Sequence, residues 1–560
     1  MRRFLVFLAL VIACGILSKD GLAASSCGTS QRNADSSSAW PPDCTTNLFP
    51  DSGTPYRLNW LGSYEHVLKS SDHLMSVNVF DADRLFLVSG NGVVVTGRNP
   101  VNQVLPQYAL FKSDHTLPSN LDGATNLNFY AQKFFNSAVY GSYVYVTTRY
   151  DPIYAFQVTG SGSGTTIQRK WMAPKSRTFT ENLQVVNGKL FAVHHADGVE
   201  VFDLANPASP VSVATLKLTD SWNLAVRSDG NMLIADGAAG VQWLRYNDAA
   251  HKLQRASGDT LQTSPGVVLD VAMVGTNTAL AAVAGAGVTT YYFNPKDPDP
   301  AHRLSRLATT ALPGMCMDVE PMDANQAVVA CRTWVHVVAV DPASGAVTVI
   351  ASAQMHRRLG RPPYRGFPST NIALHVTVSG DKIYVAAWDH VDMYQLVSSV
   401  NIPDLRLSTH RVHFAAGTGT ATVTVANGGT APLAISAVGQ STSSDIRCSL
   451  DSTTLAPGAS ATLTVSYDGL APVQDDVGCS IQSNDPDDGS LSKSSVAIPI
   501  YAAMPAYVDP GEVPPEFFGN AVLRDYGTGI VNTSWFDLAN YLDPGQTGDR
   551  VVHFAVWASW

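Results

Sequence analysis

The sequence predicts an all-β chain: a propeller of about seven blades, then a β-sandwich, then a short C-terminal stretch of a different kind. Three observations carry this. Between about residues 73 and 397 a unit of apolar strand, Gly/Asn/Asp turn and apolar strand recurs every 40–60 residues or so, the length of a four-stranded blade rather than of a solenoid turn of about 20–30 residues. Beyond residue 401 the period changes to short strands of alternating polarity. The 560 residues are 45% hydrophobic but only 15% charged, against a usual charged fraction of ~25%. That composition excludes a disordered acidic chain and a coiled coil. The length exceeds the roughly 250–300 residues that one core organises, so several domains are expected.

The first element is an export signal. Arg2 and Arg3 precede an apolar run from Phe4 to Ala13, shorter than the ~20 residues a spanning helix needs. Two processing sites fit: cleavage after Leu22-Ala23-Ala24, giving a signal of residues 1–24, or cleavage before Cys14 in Val11-Ile12-Ala13-Cys14, which resembles a bacterial lipobox and would make Cys14 a lipidation site. Either route takes the chain out of a bacterial cytoplasm, to the periplasm, the outer membrane, the cell surface or the medium. Beyond Cys14 the cysteines are Cys27, Cys44, Cys316, Cys331, Cys448 and Cys479, an even set suited to disulfides in an oxidising compartment. Fifteen connectivities are open, and three local pairs, 27–44, 316–331 and 448–479, are the simplest. None has the C-x-x-C spacing of a zinc or redox site.

After an N-terminal segment (25–72) come the repeats of residues 73–397. The clearest unit runs Leu183-Gln184-Val185-Val186-Asn187-Gly188-Lys189-Leu190-Phe191-Ala192-Val193, then Asp197-Gly198-Val199-Glu200-Val201-Phe202-Asp203, and closes on Asn206-Pro207-Ala208-Ser209-Pro210. Asn-Gly and Asp-Gly supply the positive φ angles that tight hairpins need. Further units begin near Met75, Phe134, Leu224, Val268, Cys316 and Val376, and blades closed into a ring leave few exposed edges. At these residues the chain resembles the LVIVD-repeat propellers of exported bacterial proteins. It departs from them in that only Asp203 to Pro210 keeps the full turn, while Asn294-Pro295 and Asp341-Pro342 keep part of it.

The next element, residues 402–503, has strands at Val412-His413-Phe414, Ala421 to Val425, Leu433-Ala434-Ile435 and Ala461 to Val465, which reads as a sandwich. Three motifs stand in order: Thr422 to Leu433, Leu455-Ala456-Pro457-Gly458 and Ser483-Asn484-Asp485-Pro486. They resemble the hairpin, turn and corner of choice-of-anchor D or ASH-type immunoglobulin-like domains. Residues 508–560 form the last element. Asp549-Arg550-Val551-Val552-His553-Phe554-Ala555-Val556-Trp557-Ala558-Ser559-Trp560 reads as a buried strand and resembles the opening of a thioredoxin-like or redoxin domain, an α/β fold in which this strand runs straight into a catalytic Cys-x-x-Cys. The sequence stops one residue before that motif. It is read either as a fragment or truncation, or as a chain whose next codon is a UGA decoded as selenocysteine.

Chemistry-bearing residues are sparse. His194, His195 and Asp197 are candidate metal ligands, but neighbours on a strand face opposite ways, so only one histidine can share a face with Asp197. Asp485-Pro486-Asp487-Asp488-Gly489 resembles part of a calcium loop without its distal Glu. Gly160-Ser161-Gly162-Ser163-Gly164 is a glycine-rich loop with no following Lys-Ser/Thr, so it reads as a blade insertion rather than a phosphate cradle. Trp222, Trp243, Trp334 and Trp388 read as blade packing. No hydrolase elbow, His-Glu-x-x-His pair or nucleotide loop occurs.

Residues 401–560 carry 14 Asp and 2 Glu against 6 Lys and Arg, a net −10 equal to that of the whole chain. No basic stripe is present to neutralise phosphates, which excludes nucleic acid as a partner. The expectation is an exported binding or scaffold protein with no catalytic residue, metal or cofactor of its own. Its partner is an unknown protein or cell-surface component, and it meets a membrane only through a lipid on Cys14. The alternative is a thiol- or selenol-dependent oxidoreductase whose catalytic part lies beyond Trp560.

Overall fold

The computed structural model describes residues 48–65, 74–112, 134–355, 373–439, 446–467, 478–485 and 495–504, apart from short gaps, with the pairs 523–524 and 531–532. Seven antiparallel sheets follow one another: blade one (74–112), two (134–172), three (182–216), four (223–262, with a short fifth strand), five (267–310) and six (318–354) as four-stranded meanders, and seven (375–398) with three strands of its own. Each runs from an innermost to an outermost strand. The hairpins form where the sequence supplies positive φ: Asn187 (+50°) and Gly188 (+71°) turn the chain between Val186 and Lys189, which are paired in register.

The middle strands are continuous apolar runs because both of their faces are covered. In blade one, Leu85 and Leu87 pack towards blade seven while Phe86 and Val88 pack towards blade two, all fully buried. Every seam between consecutive blades has such a core, seven in all, the last joining Tyr384 and Met393 of blade seven to Leu74 and Val77 of blade one. The ring therefore closes with seven blades.

Closure uses a strand from outside the repeat region. Tyr56–Glu65 pairs antiparallel with His390–Ser398, from Tyr56↔Ser398 to Glu65↔His390, with a bulge between Trp60 and Gly62. It forms the outermost strand of blade seven, so the propeller starts before residue 73, where the repeat pattern places its beginning. The repeat hides this strand because its hairpin partner lies more than 300 residues away.

Innermost strands have no neighbour on the channel side, and side chains from the preceding blade supply some of the missing acceptors. Gln184 accepts from the Val226 N–H at 2.7 Å, Asp270 from Val319 at 2.6 Å and Asp318 from Val376 at 2.6 Å. Asn78 donates to the Ser137 carbonyl at 3.0 Å.

Residues 405–504 fold into two sheets around one core. The first holds Leu405–Leu407, Gly419–Asn427, Ser460–Tyr467 and Ile446–Leu450; the second holds Val412–Ala415, Ser495–Met504, Gly478–Ser483, Leu433–Gly439 and Thr454–Leu455. Val423, Val425, Leu463, Val465, Leu433 and Ile481 meet between them. A Cys448–Cys479 disulfide joins one sheet to the other, and a Cys316–Cys331 disulfide lies in blade six.

The sandwich is anchored to the propeller by a buried guanidinium. Arg406 donates to both carboxylate oxygens of Asp51 (2.8 and 3.1 Å), to Asp404 (2.6 Å) and to the Leu48 carbonyl (2.9 Å), and lies 5.6 Å over the Trp334 ring of blade six. Asp51 in turn accepts from the Ser352 N–H on the outer strand of blade six, where Gln354 also bonds both polar groups of the Leu407 backbone. A Cβ on Gly428 would overlap the Arg406 side chain, so glycine is required there.

Cys14, Cys27, Cys44, the signal of residues 1–24, Trp388 and nearly all of 508–560, including the redoxin-like strand, lie outside the described residues. Of that last stretch only a two-residue pairing, Leu523–Arg524 with Val531–Asn532, is described.

Candidate functional site

The end of the propeller where innermost strands begin and second strands finish gathers the main charged cluster. His195 stands in the turn after the second strand of blade three with φ +26°, an unusual conformation for a non-glycine residue. The turn separates the two adjacent histidines. His194 is buried, its Nδ1 2.8 Å from the Thr180 hydroxyl and its Nε2 3.5 Å from Glu200. The His195 ring instead lies between Glu181 (Nε2 to Oε1, 2.6 Å) and Asp220 (Nδ1 to Oδ1, 2.8 Å), edge-on to Trp222 at 4.5 Å between centroids.

Each neighbour is held by its own element. Glu181 immediately precedes the innermost strand of blade three, and Asp220 and Trp222 lie on the crossing to blade four. The Trp222 indole donates to Asp220 at 3.1 Å, and the Asp220 N–H donates to Asp236 of blade four at 2.8 Å. Gln242 donates to the other Asp236 oxygen. Gly237 (φ +53°) leaves space that a Cβ would take from the Asp220 carboxylate.

Burial alone would lower the His195 pKa, but the Glu181 and Asp220 carboxylates outweigh it and raise it to about 9. Burial pulls Asp220 upward, and its hydrogen bond and attraction to His195 more than reverse this, leaving it below the usual carboxylate range. At neutral pH the ring is an imidazolium with both N–H groups donated to carboxylates. It has no lone pair for a metal and no free nitrogen to act as a base. His194, His195 and Asp197 thus do not form a metal centre: the first is buried in the blade, the second is spent on carboxylates, and the third is exposed on the turn. Among the described residues no group of His, Cys, Asp and Glu is arranged to hold a metal ion.

The other candidates separate in the same way. Asp485 is fully buried and accepts from the Leu405 N–H at 2.5 Å, so it serves the sandwich corner, while Asp487 and Asp488 lie outside the described residues. Trp243 packs edge-on against Phe293 at 5.5 Å and donates to Asn231, and Trp334 is buried beside Arg406. Gly160–Gly164 lies at the opposite end of the ring, between the third and fourth strands of blade two. A second acidic group, Asp270, Asp318 and Glu320, lines the innermost strands of blades five and six. Burial and then the Asp318 charge hold Asp270 well above the usual range and push Glu320 up to about 8.

Glu181, Asp220 and Asp236 are absent from any sequence motif because three separate connections carry them, the first two to His195 and Asp236 to the backbone of Asp220. The one local sign is that acidic or amide residues stand just before or at the start of innermost strands, as in Glu181-Asn182 and Asp220-Ser221-Trp222-Asn223.

No protein-family model matches the chain, and no curated protein matches it. Solved structures that match in part include the WD40 repeats of RRP9 (11% identity, covering 62% of this chain and 99% of that one, TM-score 0.43). The WD40 propeller domain of Doa1 is 11% identical, covering 61% of this chain and 97% of its own, with a TM-score of 0.40. YCF48 bound to D1 peptide is 10% identical, covering 64% and 100%, with a TM-score of 0.41. Values this low carry no argument about function, and the propeller is evident from the chain's own seven sheets.

Proposed function

We propose that the chain is an exported binding protein that presents the His195 end of its propeller to a protein or cell-surface partner, with an immunoglobulin-like sandwich as a fixed attachment. The observation that carries this is the cluster itself: half-buried His195, Asp220 and Trp222 are held in one geometry at the surface by the buried Glu181 and Asp236, with the imidazole fully committed to carboxylates. Such a surface recognises but has no group left over for chemistry. Export is supported by the Arg2-Arg3 and Phe4–Ala13 signal pattern and by the two disulfides, which persist in oxidising compartments.

The test is crosslinked capture from an extract of the source cell envelope, comparing the native chain with the double variant His195→Ala/Trp222→Ala. A partner retained by the native chain and lost by the folded variant is expected; equal retention by both refutes the assignment of this end. The oxidoreductase alternative rests on the likeness of Asp549–Trp560 to a redoxin strand, and disulfide-reductase activity of the protein purified from its source cells would favour it.

A further inference from the structure

The opposite end of the ring holds a cleft of about 300 Å³ between blades one and two, lined by Asp81, Asp83, Arg84, Asn99, Tyr108, Ser161 and Gly162. Three connections build it: the turn between the first two strands of blade one, the loop between its last two strands, and the glycine-rich loop of blade two. Two of these seven residues, Asp81 and Arg84, are already committed to each other. Arg84 donates to Asp81 at 2.6 and 2.9 Å and to the Gly160 carbonyl at 2.9 Å, and lies 4.7 Å over the Phe80 ring. The guanidinium therefore ties the two blades together and fixes the cleft's floor.

Four others are uncommitted. Among the described residues, the exposed Asp83 carboxylate, Asn99 amide and Ser161 hydroxyl and the half-buried Tyr108 hydroxyl make no hydrogen bond within the chain. Tyr108 is held half-buried against Gly97, where a Cβ would come within 2.7 Å of its hydroxyl. We infer that this cleft binds a neutral polyhydroxylated ring, a monosaccharide unit, independently of the surface around His195.

Chemistry selects that class. An apolar ligand finds no aliphatic side chain in the lining. An anion meets the Asp83 charge while the single guanidinium is already paired with Asp81, which also excludes a phosphate on the glycine-rich loop. A sugar hydroxyl both donates and accepts, and so matches a carboxylate, an amide and two hydroxyls at once, while its less polar face suits the tyrosine ring. The volume lies at the lower end of the ~300–1,000 Å³ of ligand clefts, enough for one ring.

The experiment is calorimetric titration of the whole chain with D-glucose, D-galactose, D-mannose and N-acetylglucosamine, with inorganic phosphate as the contrasting probe. Saturable binding of at least one sugar with a Kd of about 1 mM is expected. Asp83→Ala should weaken it about tenfold, and Ser161→Trp, on an exposed loop residue, should abolish it by filling the cleft. No saturable sugar binding at about 20 mM, sugar binding unchanged in both variants, or phosphate bound more tightly than every sugar would each overturn the inference.

Discussion

At the scale of single residues, His195 matters because its charge is shared by two carboxylates from different connections. Its folded pKa of about 9 lies above the ordinary value of 6.5. Its contribution to stability is therefore fully present below about pH 6.5 and is lost as pH rises through about 9. Asp220 has the opposite sign: its folded pKa is depressed, so its contribution is present above about 3.8 and is lost as pH falls through the lowered value. Replacing His195 with Ala leaves Glu181 and Asp220 facing each other, and a loss of about 1–3 kcal/mol is expected at neutral pH. Thermal unfolding of both proteins from pH 6 to 10 or so checks this. The native chain should lose its advantage over His195→Ala as pH approaches the pKa of the ring, and a constant difference across that range would contradict the account.

At the scale of elements, the central step is the pairing of Tyr56–Glu65 with His390–Ser398. The register sets Asn59 opposite Gln395, so the double variant Asn59→Cys/Gln395→Cys should form a disulfide across the closing seam. By constraining a loop of more than 300 residues it should raise stability by about 2–4 kcal/mol. Peptide mapping of the oxidised protein reads the bond directly, and failure to form it would mean that the ring closes in another register. The seven blades were legible in the sequence because each middle strand is an apolar run covered on both faces and small turn residues, Asn187-Gly188 and Asp229-Gly230 among them, separate the strands. The closing strand was not, because pairing between distant segments leaves no local period. Asp220 was hidden because the crossing to blade four brings it to His195, and Glu181 because it reaches the ring through strand register rather than through a motif. The adjacency of His194 and His195 was visible, but their separation depends on one positive φ angle that sequence does not announce.

At the scale of the whole molecule, seven apolar seams fix the ring, and Arg406 fixes the sandwich to its rim. Arg406 is fully buried, and a buried ion pair adds little net stability compared with apolar packing. Its geometric role is clearer, because the fork binds Asp51 of the N-terminal segment and Asp404 of the sandwich together against Trp334 of the propeller. The sandwich is therefore held against blade six, and the proposed partner surface lies around His195 on blades three and four of the ring. Hydrogen exchange of the native chain, alone and with the envelope component it captures, tests this claim most directly. Slowed exchange concentrated in residues 195–197, 220–222 and 236–240, with little change in the sandwich, is expected. Protection confined to the sandwich or to the outer strands of the blades would contradict it.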